Sequence, residues 1–292
     1  MYKKSNNSNY YLHNFSLIDD KKDSVLFIPG AGMDHRIVND LKLDPSRFNK
    51  PIAIDSPHHG YSTGPKLKTI EAYAEGIESV LEDIDISNFH LCGHSMGGLI
   101  ALRIAFNKKL KFKSVNILNA SCPMFVGSAL LDDSRKNLDS AMDMLTTYGV
   151  SQAPKAKTAT RMFGTMGSGF YQKKSDLINT PYGSKKIIDK LDDEVDLYAL
   201  KKLFNQITKD ILNNDLNACK SFAIDEEDIA NYENLITFVL GEKDNLTPVK
   251  YAKKFCDSLN KSEMVILDGL GHFNFYEDPT KLSEELGKIL TK

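Results

Sequence analysis

The segment Gly93-His94-Ser95-Met96-Gly97 constrains this chain more than any other. It follows the apolar run Phe89-His90-Leu91-Cys92 and precedes an apolar-periodic stretch opening at Gly98-Leu99-Ile100-Ala101. The reading is a strand, a tight turn and a helix, with a serine at the apex. Glycine on both sides of such a serine is a steric requirement, because the serine takes a strained backbone conformation and side chains beside it would strike the neighbouring strand and helix. The strain lifts the hydroxyl to where a substrate can reach it.

A hydroxyl is a weak nucleophile until a base takes its proton, so the turn predicts a histidine and an orienting carboxylate further along the chain. Leu235-Ile236-Thr237-Phe238-Val239-Leu240 is a continuous apolar run suited to a buried parallel strand, and it ends in Gly241-Glu242-Lys243-Asp244. A second run, Met264-Val265-Ile266-Leu267, leads into Asp268-Gly269-Leu270-Gly271-His272. Ser95, Asp244 and His272 therefore fall on loops along one edge of one sheet, with Glu242 a nearby alternative carboxylate. Upstream, the strand-like Val25-Leu26-Phe27-Ile28 runs into Pro29-Gly30-Ala31-Gly32, whose glycines allow backbone N–H groups to approach the serine.

These landmarks, joined by Ile52-Ala53-Ile54-Asp55 with Ser56-Pro57-His58-His59-Gly60 and by Glu277-Asp278-Pro279 beyond His272, resemble those of the α/β-hydrolase superfamily. The resemblance runs from about Val25 to the C-terminal helix and is to capped serine hydrolases. It implies a mostly parallel central sheet flanked by helices, with a hydrolase core over 1–122 and 216–292 and a helical cap inserted at 123–215. It also implies a triad of Ser95, Asp244 and His272, with the N–H groups of Ala31 and Met96 as the oxyanion hole. The implied activity is hydrolysis of a carboxylic ester, or a thioester, of a small, partly apolar acid through an acyl-enzyme on Ser95. No metal or organic cofactor is required for that chemistry. Two departures stand out, Pro29 where relatives usually carry histidine and His58 where they usually carry glycine. Alternatives on the same scaffold are hydrolysis of a carbon–carbon bond in a ring-cleavage product and a non-catalytic ligand receptor. Serine at the apex argues against the branches that use an aspartate nucleophile. Relatives can also place the acid after the strand Ser114–Asn119, but Ala120-Ser121-Cys122-Pro123 offers no carboxylate there.

Residues 124 to 215 show helical patterning without strand-like runs. Leu138, Ala141, Met142 and Leu145 share one helical face, as do Leu197, Leu200, Phe204, Ile207 and Ile211. Between them Met162, Phe163, Met166 and Phe170 alternate with Gly164, Gly167 and Gly169, which reads either as an adaptable acyl pocket or as ordinary packing.

The formal charge of −2 and a pI near 6.4 give no electrostatic footprint for nucleic acid. Met1 to Asn14 lacks the apolar core of a signal peptide and no 18-residue apolar run occurs, so neither export nor a membrane span is expected. Cys92, Cys122, Cys219 and Cys256 form no C-x-x-C pair, which also fits a cytoplasmic setting. His13, His35, His58, His59 and His90 lack the spacing of a metal site and are read as structural, with His94 a hydrogen-bonding member of the elbow. The expected partner is a small acyl substrate. The sequence leaves the oligomeric state open.

Overall fold

Continuous apolar runs become parallel strands buried on both faces, because only a strand covered by helices on either side can place every side chain out of water. The computed structural model describes residues 1–5, 7–82, 84–151, 200–204 and 207–292. Its strands are β1 (Tyr2–Ser5), β2 (Ser8–His13), β3 (Ser24–Ile28), β4 (Ile52–Ile54), β5 (Phe89–His94), β6 (Ser114–Leu118), β7 (Ile236–Gly241) and β8 (Ser262–Leu267). They form one sheet in the order β1-β2-β4-β3-β5-β6-β7-β8. Pairing is parallel from β4 through β8, while β1 and β2 add antiparallel at the other edge.

The strands β3 to β7 are buried almost throughout. The edge strand β8 is half-covered, as an edge must be. The first two strands lie in the segment whose sequence reads only as polar. Ser8, Tyr10 and Leu12 of β2 are buried while the residues between them are half-exposed, a period-2 pattern carried by one serine, one tyrosine and one leucine.

The helices follow their capping chemistry. In α1 (Ile70–Leu81) Thr69 caps the start by accepting from the Ala72 N–H at 3.2 Å, and Ile70, Tyr73, Ala74 and Ile77 turn inward. Next come α2 (Met96–Asn107), α3 (Ser128–Lys136), α4 (Leu138–Gly149) and α5 (Lys209–Ser221). They are followed by α6 (Glu226–Ala230), α7 (Val249–Cys256), α8 (Asn274–Glu277) and α9 (Pro279–Leu290). α2 packs on β3, β5 and β6, and α7 packs on β7 and β8. This is the α/β-hydrolase fold that the resemblance implies.

In the expected cap, α4 forms where Leu138, Ala141, Met142 and Leu145 place it. The second expected helix differs. A single turn of 3-10 helix, Lys202–Phe204, precedes a fresh start at α5, so Phe204 and Ile211 do not share one uninterrupted helix. The expected division at 215/216 falls inside α5. Asn213 of α5 donates to the Leu131 carbonyl at 3.0 Å and to Ser134 Oγ at 2.8 Å, joining α5 to α3. Leu197, Met162, Phe163, Met166 and Phe170 lie outside the described residues. Among the described residues, no helix is long and apolar enough to cross a membrane.

The register sets up the site. Ile28 pairs with Gly93, His94 with Leu118, Leu118 with Val239 and Gly241 with Leu267. The carboxyl ends of β3, β5, β6, β7 and β8 therefore open onto one rim. The elbow beneath it leaves no spare volume. A Cβ on Gly97 would run into the carbonyls of Ile28 and Pro29, and one on Gly93 into the Gly97 backbone and Ala101. Since rigid backbone is struck, Gly97→Ala is expected to destabilise by at least about 1–3 kcal/mol. The check is a lower Tm, and a Tm equal to that of the parent would contradict this packing.

Candidate active site

Ser95 holds φ 54° and ψ −119°, a region that residues with a Cβ rarely occupy. Such a conformation costs on the order of 1–3 kcal/mol and persists only where the surroundings impose it. Here the Ser95 N–H donates to the Leu118 carbonyl at 2.9 Å and its own carbonyl accepts from Gly98 N–H at 2.8 Å. The residue is thus clamped between β6 and the first turn of α2.

Asp244 and His272 meet across the ends of β7 and β8. His272 Nδ1 lies 2.8 Å from Asp244 Oδ2, and both side chains are buried. The carboxylate is saturated with donors. Oδ1 accepts from the N–H groups of Leu246 and Thr247, each at 2.8 Å, and Oδ2 also accepts from Thr247 Oγ1 at 2.6 Å and Asn119 Nδ2 at 2.8 Å. Burial by itself would favour the neutral acid. The His272 imidazole and the Thr247 donors outweigh it and hold the Asp244 carboxyl well below the usual carboxylate range.

The backbone of His272 is fixed as firmly as its ring. Its N–H donates to the Gly149 carbonyl at 2.5 Å, so the end of α4 grips the loop. Glu277 bridges the same junction, accepting from Gly271 N–H at 3.0 Å and Ser151 N–H at 2.8 Å. His94 Nε2 donates to the His272 carbonyl at 2.8 Å. Burial pushes the His94 imidazole down to about 3, so it is a neutral hydrogen-bonding group, as its place in the elbow suggested.

The turn after β3 passes beside the serine. A Cβ on Gly30 would come 3.1 Å from Ser95 Cβ, and Gly32 takes φ +70°. The Ala31 and Met96 N–H groups donate to no other described residue. Met96 opens α2, where unpaired N–H groups and the helix dipole favour negative charge.

Ser95, Ala31 and His272 line one cavity of about 250 Å³. Its walls are mostly apolar and come chiefly from the segment between Met124 and Leu130, from Met144, Leu145 and Tyr148 on α4, from Phe204 with Leu216 and Cys219, and from Asn245, Leu246 and Thr247 beside the acid. No Lys, Arg, Asp or Glu stands among the described lining residues. Phe125 and Tyr148 are exposed and mark its mouth.

Sequence reasoning missed Asn119, whose amide reaches Asp244 and which also accepts from Asn274 Nδ2. Its only signal is an Asn just past a strand end, where its φ of 47° suits that residue type. Three of the other histidines sit among structural partners. His35 Nδ1 lies 2.8 Å from Asp55 Oδ2, His13 stacks on His35 and His90 Nδ1 is 2.8 Å from Ser114 Oγ. His58 is exposed at φ 67°, the left-handed conformation that glycine would take more easily. His59 is buried against Asp215 at 2.7 Å, a partner 156 residues away. Among the described residues, no group of three or more His, Cys, Asp or Glu is placed to hold a metal ion.

Comparison with known proteins places the chain in a family and bears on its fold. Residues 25–285 match the family model described as alpha/beta hydrolase family. The AB hydrolase superfamily protein YisY of Bacillus subtilis is 23% identical over 275 residues, covering 91% of this chain and 90% of that protein. Among solved structures, the enol-lactonase from Burkholderia xenovorans superposes with a TM-score of 0.75 at 14% identity, covering 100% of both chains. An esterase from Exiguobacterium antarcticum gives a TM-score of 0.75 at 15% identity, covering 98% of this chain and 96% of that one.

Proposed function

The chain belongs to the alpha/beta hydrolase family, and from that premise we propose that it is a serine hydrolase cleaving a carboxylic ester or thioester of a small, partly apolar acid. The observation that carries this reading is the opening of Ser95 and His272 into one apolar cavity, with His272 held on its far side by Asp244 at 2.8 Å. His272 Nδ1–H points at the carboxylate, which leaves Nε2 as the free lone pair for the serine proton. Ser95 Oγ attacks the acyl carbonyl, the N–H groups of Ala31 and Met96 receive the oxyanion, and His272 passes the proton to the leaving group. Water activated by the same imidazole then releases the acid and restores Ser95. The solved esterase and enol-lactonase both act on esters by name, the lactone being a cyclic one, and this supports the reaction class.

The cavity sets the substrate's scale. About 250 Å³ is below the roughly 300–1,000 Å³ of pockets that hold drug-sized ligands, so an acyl group of a few carbons fits. An acyl chain ending in a charge would be buried there without a counter-ion among the described lining residues. A series of p-nitrophenyl esters of increasing chain length tests the proposal. Each added methylene should improve kcat/KM by up to about 0.8 kcal/mol until the cavity is full, after which the gain stops. Met144→Ala, which enlarges the α4 wall, should move that plateau to longer chains. Absence of ester hydrolysis across the series, with no covalent labelling of Ser95 by a fluorophosphonate, would contradict the function.

A further inference from the structure

Behind the turn that carries Ala31 lies a buried group that the hydrolytic steps above do not use. Asp215 of α5 accepts from Gly32 N–H at 3.0 Å, from His59 Nε2 at 2.7 Å and from Tyr73 Oη of α1 at 2.7 Å. All of it is inaccessible to solvent or nearly so. The turn is closed on its other side by Met33 N–H donating to the Gly30 carbonyl at 3.0 Å.

The second nitrogen of His59 decides its charge. Nδ1 lies 3.0 Å from the Pro57 carbonyl, so both ring nitrogens face acceptors. A neutral imidazole has only one N–H and would leave a lone pair pressed against an oxygen. The imidazolium satisfies both. Burial works against that charge, but Asp215 and the Pro57 carbonyl outweigh it and raise the imidazole above its ordinary value.

We infer that His59 and Asp215 are positioning residues for the proposed reaction: a buried imidazolium–carboxylate pair that holds the Gly30–Met33 turn so that the Ala31 N–H faces the oxyanion. The inference rests on the serine hydrolase reading and adds a requirement to it. A carboxylate behind the turn would repel an oxyanion forming in front of it, and the repulsion is strong in a poorly polarisable interior. The His59 charge cancels it. Losing that proton leaves the buried carboxylate hydrogen-bonded to Gly32 N–H and Tyr73 Oη but without its counter-charge, which is destabilising.

The pH consequence follows in sign. A histidine raised in the folded state contributes fully below the unfolded value of about 6.5, and the contribution is lost as pH rises through the higher folded value. Activity therefore carries an alkaline limb that belongs to His59. The groups facing the pair are Asp55 with its partner His35, the Tyr73 phenol, and the Cys219 thiol one turn along α5. Burial holds Tyr73 and Cys219 above their ordinary ranges, so both stay neutral while His59 titrates.

The experiment pairs two readouts on the full chain. Ring NMR follows His59 with pH, and the rate of fluorophosphonate labelling at Ser95 is measured over the same range. The expected result is a His59 titration above the ordinary imidazole value, with labelling falling on the order of tenfold through the same interval. His59→Gln keeps a donor but removes the charge. It should slow labelling on the order of tenfold and abolish the alkaline limb. Adding Asp215→Asn restores charge balance, so the double variant should recover most of the rate with a flat alkaline profile. A purely structural role would lower the Tm of the single variant and leave the limb where it was. A wild type that labels at Ser95 with no alkaline limb, or with a limb that does not track His59, overturns the inference while sparing the hydrolase reading. No labelling of Ser95 at any pH overturns the hydrolase reading itself.

Discussion

Ser95→Ala is expected to leave the fold intact and to lower turnover on the order of 10⁶-fold. The size of the effect follows from the removal of a single atom on which the whole constellation converges. The Thr247 hydroxyl lies 3.2 Å from His272 Nδ1, on the Asp244 side of the ring, and cannot stand in for Ser95 at Nε2, so without a covalent intermediate the ester must be attacked by water directly. The fold survives because the elbow is held by its backbone: Ser95 N–H to Leu118, Ser95 carbonyl to Gly98 N–H. Alanine inherits the strained φ of 54° and neither relieves nor adds to it. Some acceleration over water should remain, since the N–H donors of Ala31 and Met96 and the apolar cavity are untouched. Steady-state hydrolysis of the best p-nitrophenyl ester measures the loss, and circular dichroism checks the fold. Turnover within tenfold of the parent would remove Ser95 from the mechanism.

Much of this architecture is legible in the sequence, and for a physical reason. Strands buried on both faces must be apolar throughout, so Ile236–Gly241 and Phe89–His94 announce themselves without any partner being known. The elbow is legible because sterics leave only glycine at 93 and 97. What escapes the sequence is set by contacts distant along the chain. Asp215 is an ordinary helical aspartate until His59, Tyr73 and Gly32 close around it from 142 or more positions away. Asn119 acquires its role only when β6 and β7 pair and bring Asp244 beside it. β1 and β2 are hidden for another reason, because an antiparallel edge with one covered face needs few apolar residues. The cavity walls are also illegible, since Met124 to Leu130 follow no helical or strand period until α3 begins.

Asp244→Asn is expected to cost about 10⁴-fold in turnover, and the donors around the carboxylate explain why an isosteric change does so much. Every group that touches Asp244 donates. An asparagine amide facing Oδ1's partners would set its NH₂ against the N–H groups of Leu246 and Thr247, which belong to the backbone and cannot turn away. The other orientation aims the NH₂ at Thr247 Oγ1, Asn119 Nδ2 and His272 Nδ1. Thr247 can rotate its hydroxyl, and the Asn119 amide can give up one contact. His272 can accommodate the NH₂ only by making Nδ1 an acceptor, which moves its proton to Nε2. That is the nitrogen that must take the proton of Ser95, so the enzyme is left folded with its base in the wrong tautomer. The variant should also lose Asp244's share of the dependence of stability on acid. Asp244 has its carboxyl held well below the usual range, so the parent gains stability above the ordinary carboxylate value of about 3.9 and loses it as pH falls below. Denaturant unfolding of parent and variant between pH 7 and pH 3 should show a constant gap down to about pH 4 that begins to narrow only below it. Glu242 provides the control. Its carboxylate accepts from Gly269 N–H at 3.1 Å and pairs with Lys243 at 3.3 Å on the exposed side of the loop, so Glu242→Gln should turn over at the parent rate. Loss of activity in Glu242→Gln with retention in Asp244→Asn would exchange the roles assigned to the two carboxylates.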